Sequence, residues 1–171
     1  MNQRITLSLA AIMVASAAHS TIGASVFVQN TGAVIATFRG SDAGYDSELY
    51  LDLVGVGPIF PNHSTAVGTT YNLGNFTAGT ELIFRLHVQN TGDDWYTGEA
   101  SRNADNLAHA DAVDNWNNSG DTWVGFEDIY GGGDLDYNDH QFSFSNTAVP
   151  EPSTIAALAM GGVALLRRRK K

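Results

Sequence analysis

Apolar and polar residues alternate along many short stretches of this chain, with a period of two rather than the 3.6 of a helix. In Glu81–Val88 the apolar positions Leu82, Phe84, Leu86 and Val88 fall on one face. Leu49, Leu51 and Leu53 do the same against Tyr50, Asp52 and Val54. Val26 and Val28, then Val34, Ala36 and Phe38, predict two further strands. Val124 and Phe126 run into an acidic stretch, and Phe142 and Phe144 run out of it. Gly, Asn, Asp and Pro separate the runs, as turn residues do. Short strands at this spacing predict an all-β fold, an antiparallel β-sandwich of jelly-roll type, with a β-barrel as the alternative. The pentapeptide Val28-Gln29-Asn30-Thr31-Gly32 recurs as Val88-Gln89-Asn90-Thr91-Gly92. Two copies do not make a repeat protein; both read as strand ends entering Asn/Gly turns.

The two ends of the chain depart from this pattern. Arg4 precedes an apolar run, Ile5 to Ala18, interrupted only by Thr6, Ser8 and Ser16. A short apolar run behind a basic residue at the N-terminus has the layout of a secretory signal peptide. Ala18-His19-Ser20 fits a small-x-small cleavage site, and Ala24 is a second candidate end. At the other end, Val149-Pro150-Glu151-Pro152-Ser153 precedes an apolar segment, Thr154 to Leu166, and then Arg167-Arg168-Arg169-Lys170-Lys171. Thirteen apolar-segment residues are few beside the roughly 20 of a comfortable span, and a basic end stays cytoplasmic. The expected organisation is therefore a signal peptide at 1–24, one domain at 25–148, and a tail at 149–171 with an apolar helix.

Composition sharpens this. The chain has no cysteine, so disulfides and thiolate metal sites are excluded, and an exported domain must rely on its core. Residues 25–148 hold 17 of the 18 acids and only Arg39, Arg85 and Arg102 as bases, a net charge of −14. Such a surface disfavours nucleic acid and anionic membranes as partners and favours cations.

The acids concentrate in Gly125 to Phe142, GFEDIYGGGDLDYNDHQF, which places five carboxylates between Glu127 and Asp139. Oxygen-bearing side chains follow the pattern Asp134-x-Asp136-x-Asn138-Asp139. Hard cations such as calcium take six to eight oxygen ligands, and carboxylates crowded without a counter-charge invite one. An EF-hand needs Gly at the sixth loop position and Glu at the twelfth, whereas these are Asp139 and Ser145. The predicted calcium ligands are Asp134, Asp136, Asn138 and Asp139, with Glu127 and Asp128 entering from the preceding strand. A second polar cluster, Asn103, Asp105, Asn106, His109, Asp111 and Asp114, is a candidate to approach the same loop. For His109 a hydrogen-bonded structural role is the stronger expectation, because calcium seeks oxygen.

Two resemblances follow from these motifs. Gly125-x-Glu127-Asp128, Gly131-Gly132-Gly133-Asp134 and Asp136-Tyr137-Asn138-Asp139 resemble the signature of a bacterial family of exported proteins catalogued as a domain of unknown function. The likeness extends to Ser101–Ala110, where Ala104 and Asn106 depart from the family pattern, and it implies calcium binding rather than a known reaction. The Pro-Glu-Pro triplet, apolar segment and basic end resemble the PEP-CTERM sorting signal. That resemblance implies that an exosortase processes the chain at the inner membrane and that the product passes to the cell surface or extracellular matrix. Pro150, Glu151 and Pro152 are then processing residues, with membrane contact only through the tail.

No enzyme constellation stands out. His63, His87, His109 and His140 are scattered, and there is no Gly-x-Ser-x-Gly elbow or His-Glu-x-x-His pair. The expected function is an exported, exosortase-processed surface or matrix protein, associated with exopolysaccharide or biofilm, and not an enzyme. The alternative is a carbohydrate-binding module using Trp95, Trp116 or Trp123 against exopolysaccharide, and a secreted hydrolase is third. Replacing Pro150-Glu151-Pro152 with alanines is expected to strand the chain in the inner membrane, read by fractionation. Unchanged release of that variant would contradict exosortase sorting.

Overall fold

The computed structural model describes residues 20–150, and within them short alternating segments become strands. Six strands form the larger sheet: β1 (Ser20–Ile22), β3 (Gly32–Gly40), β6 (Thr70–Phe76), β10 (Ala110–Val113), β11 (Thr122–Phe126) and β12 (His140–Phe144). Their order is β1-β10-β11-β12-β3-β6, antiparallel throughout. Two smaller sheets complete the sandwich. One holds β4 (Ser47–Leu51), β5 (Val56–Ile59), β8 (Phe84–Val88) and β9 (Asp94–Tyr96) in the order β5-β4-β8-β9. The other holds β2 (Val26–Val28), β7 (Glu81–Leu82) and β13 (Thr147–Ala148) in the order β13-β2-β7.

The inward positions are those of the alternating pattern. Val34, Ala36, Phe38, Val124, Phe126, Phe142 and Phe144 face Leu49, Leu51, Leu82, Phe84, Leu86 and Val88, all buried in one core. Phe84 of β8 stacks on Phe144 of β12 with ring centroids 3.9 Å apart, joining the two layers. Ser47 Oγ of β4 meets His140 Nδ1 of β12 at 2.9 Å within the core. Burial pushes the His140 imidazole down to about 3, so it is neutral and fits an apolar layer. Each fully buried Leu or Phe contributes roughly 1.5–3 kcal/mol, and without disulfides this core carries the fold.

Both copies of the recurring pentapeptide leave a strand, β2 and β8, and enter a turn. One alternation ends early. β4 stops at Leu51, and Asp52–Val54 form a 3-10 turn closed by Gly55 in the left-handed region (φ 63°, ψ 31°). Leu53 is therefore 54% exposed rather than a core residue. Asp52 is drawn out of line by its ion pair with Arg85 at 3.0 Å.

Among the described residues no helix is long and apolar enough to cross a membrane. The expected signal-peptide core and the apolar C-terminal segment lie outside those residues. At the near edge of the described residues, β1 pairs with β10 over three residues, and Ser20 Oγ donates to Asp111 Oδ2 at 2.6 Å. Val149, just after β13, is buried. A leader cut that preserves β1 leaves Ser20 in the mature chain. N-terminal sequencing of exported material is expected to start at or before Ser20, and a start at Ser25 would contradict a structural role for β1.

Candidate functional site

The acidic loop leaves β11 at Phe126 and returns as β12 at His140. It lies directly on the outer face of the larger sheet at Gly125. A Cβ there would collide with the Tyr137 carbonyl oxygen and with the Trp123 ring, so only glycine admits the loop. Gly133 (φ 54°) serves the same end within the loop, since a Cβ would come within 2.5 Å of Glu127 Oε2. Leu135 (φ 63°) and Tyr137 (φ 54°) also take left-handed backbone, a conformation costing non-glycine residues on the order of 1 kcal/mol or more.

The loop divides its acids into two groups. Glu127, Asp134 and Asp136 bring one carboxylate oxygen each within 4.8 Å of the others. Glu127 is fully buried, whereas Asp134 and Asp136 are exposed. Glu127 Oε1 accepts the Tyr137 N–H, but Oε2 is buried with no partner. The Asn138 amide donates to Asp136 Oδ2 and the Asn138 N–H to Oδ1, fixing that carboxylate. Asp128 and Asp139 form the second group, their carboxyls within hydrogen-bonding reach. Asp139 Oδ2 accepts the Asp128 N–H at 2.9 Å, and Asp128 Oδ2 is buried without a partner. All six residues expected from sequence thus stand in the loop, as a triad with Asn138 beside it and an adjacent pair.

The electrostatics are one-sided. Burial raises the Glu127 carboxyl above its ordinary range, and Asp139, Asp134 and Asp136 add to it. Burial, then the negative charge of Asp139, pushes Asp128 up to about 7. Asp139 is also raised, chiefly by burial. Bases in the described residues pair elsewhere: Arg39 with Asp121, Arg85 with Asp52 and Asp94, Arg102 with Glu81.

The second polar cluster meets the loop, but as a brace. His109 is fully buried, with Nδ1 3.1 Å from the Glu127 carbonyl oxygen and Nε2 2.8 Å from Asp105 Oδ2. Asp105 Oδ2 also accepts the Gly131 N–H at 2.9 Å. Burial raises the Asp105 carboxyl, but the hydrogen bonds from His109, Gly131 and Leu107 outweigh it and hold the group low. Trp95 stacks on His109 at 3.7 Å and donates from Nε1 to the Asp128 carbonyl oxygen at 3.0 Å. The remaining members serve locally: Asn103 accepts the Tyr96 N–H, Asn106 occupies a left-handed turn position (φ 59°), Asp111 binds Ser20, and Asp114 accepts from Thr122. The role of Trp95 was not legible in sequence, because nothing near it in the chain signals its contact with Asp128.

Trp95 is completely buried and offers no face to a sugar. Trp116 is half-buried beneath the Arg39 guanidinium, 5.1 Å from its ring centroid, and Trp123 is half-buried beside Gly125.

The architecture and this site define the class: a disulfide-free antiparallel β-sandwich carrying, on one sheet, a part-buried carboxylate cluster that pairs with no base among the described residues. Residues 148–170 match the PEP-CTERM protein-sorting motif, which marks an exported, exosortase-targeted chain with a C-terminal membrane-anchoring sorting signal. No curated protein and no solved structure matches the chain. The motif starts inside the fold, since Ala148 belongs to β13 and Val149 is buried.

The raised carboxyls set a pH dependence. Folded Asp128 holds a proton that the unfolded chain releases near pH 4, and Asp139 and Glu127 shift in the same direction. Their contribution to stability is fully present below about pH 4 and is lost as pH rises toward the Asp128 value of about 7. His140, held neutral in the fold, works in the opposite sense below about pH 6.5, so the readout is the difference between two proteins. In chelator, the melting temperature of the wild type relative to Asp128→Asn is expected to fall by about a few degrees between pH 4.5 and 7.5. A difference that stays flat or rises across this window would contradict the cluster as described.

Proposed function

We propose that the chain is an exported, exosortase-processed protein of the cell surface or extracellular matrix whose sandwich domain is stabilised by calcium at the acidic loop. The observation that carries the calcium reading is Glu127, a buried carboxylate whose Oε2 has no partner and which faces Asp134 and Asp136. Glu127, Asp134 and Asp136 supply the charged oxygens, Asn138 orients Asp136, and water completes the shell from the exposed side.

The donor set selects the ion. There is no cysteine, and both nitrogens of His109, the histidine against the loop, already face oxygen acceptors. An all-oxygen set with no thiolate or free imidazole suits calcium over zinc. Magnesium demands a tighter octahedron and sheds water reluctantly, so it is the weaker ligand here. The loop's resemblance to a signature of calcium-dependent exported proteins agrees with this reading. The domain acts as a structural component rather than an enzyme, with exopolysaccharide as the surrounding material. The buried position of Trp95 removes one of the three candidate sugar platforms.

Extracellular modules bind calcium with Kd of roughly 10⁻⁴–10⁻³ M, which at millimolar calcium gives about 0.4–1.4 kcal/mol of added stability. The full chain is expected to melt roughly 1–6 °C higher in millimolar calcium than in chelator, with little rise in magnesium. Asp134→Ala with Asp136→Ala should reduce the rise. An equal rise in that double variant would reduce the effect to screening of the domain's negative charge.

A further inference from the structure

The acids of the loop fall into two groups, and a single divalent ion does not answer both. Glu127 joins Asp134 and Asp136, while Asp128 lies against Asp139, whose Oδ2 accepts the Asp128 N–H. The two groups adjoin, since Asp134 and Asp136 also act on the Asp139 carboxyl. We propose that Asp128 and Asp139 form a second divalent-cation site beside the Glu127–Asp134–Asp136 site. The proposal rests on the reading of the loop as a calcium site and extends it from one ion to two.

The first support is an orphaned oxygen. Asp128 is 2% exposed, and its Oδ2 is buried with no hydrogen-bond partner. A buried carboxylate oxygen left unpaired costs the full desolvation of that group, and a directly bound cation removes the cost. The second support is charge. One divalent ion at the triad neutralises two of its three negative charges and leaves the Asp128–Asp139 pair unanswered. Among the described residues no Arg or His pairs with either acid. Asp105, whose side chain is also buried, by contrast finds a base in His109 at 2.8 Å.

Neighbouring carbonyl oxygens are already engaged. The Asp139 carbonyl oxygen accepts from Ser41 Oγ at 2.6 Å, and the Asn138 carbonyl from the Asp42 N–H at 3.1 Å. Asp139 Oδ2 already accepts the Asp128 N–H. The ligands are therefore Asp128 Oδ2 and Asp139 Oδ1, with water completing the shell on the half-exposed side of Asp139. The rival occupant is a proton shared between the two carboxyls.

Native mass spectrometry of the full chain in detergent, with calcium as the probe, separates these outcomes. The proposal expects two bound ions in the wild type. It expects one in Asp128→Asn with Asp139→Asn, and one in Asp134→Asn with Asp136→Asn. A wild type that saturates at one ion overturns the second site and assigns the pair a shared proton, while the calcium reading stands. Loss of all binding in the Asp128→Asn, Asp139→Asn variant also overturns it, by making the two groups one site. No bound ion in the wild type overturns the calcium reading itself. If the variants fail to fold, europium excitation spectra of the wild type decide the matter: two site-resolved lines are expected, and one line contradicts the proposal.

Discussion

Carboxylates held together without a base repel one another, and the junction of β11 and β12 holds five of them between Glu127 and Asp139. The rest of the domain is arranged to bear this. Four loop N–H groups turn onto carboxylates: Tyr137 onto Glu127, Asp128 onto Asp139, Gly131 onto Asp105 and Asn138 onto Asp136. Hydrogen bonds to charged acceptors are worth about 1.5–3 kcal/mol each, so the loop is tied down by the same groups that strain it. Trp95 and His109 hold the carbonyls of Asp128 and Glu127 from the opposite side. Gly125 and Gly133 permit approaches that any side chain would block. Backbone, aromatic stack and glycines thus fix the acids in place, yet Glu127 Oε2 and Asp128 Oδ2 remain unanswered by protein.

Much of the fold was legible because burial enforces period two. Leu82, Phe84, Leu86 and Val88 alternate in sequence and are all buried, as are Val34, Ala36, Phe38, Phe142 and Phe144. Leu53 misled because alternation has no view of Gly55 or of the Arg85 that captures Asp52. β1 was hidden too, since Ser20–Ile22 is short and borders the apolar run Ile5 to Ala18, and only pairing with β10 makes it a strand. At the site, the residue types that collect charge were visible in the loop itself. Its division into two groups was not, because side-chain direction at the end of β11 depends on three-dimensional exit geometry. The brace joining Asp105, His109 and Trp95 spans distant segments, and no local pattern records it.

The sorting motif gives this arrangement a setting. Ala148 and Val149 belong at once to the sandwich and to the match over residues 148–170, so the sorting motif begins within the folded chain. An exported domain without cysteine has its core and any bound ion as stabilisers. On the proposed reading, the acidic loop gains its counter-charge outside the cell, where such modules meet calcium at concentrations near their Kd.

The most direct test of a cation at this loop is an anomalous difference map from crystals of the processed protein grown with calcium. The account predicts a peak bounded by Glu127 Oε2, Asp134 and Asp136, with oxygen ligands at roughly 2.3–2.6 Å. Carboxylates splayed into solvent around ordered water, with no anomalous signal at saturating calcium, would contradict it.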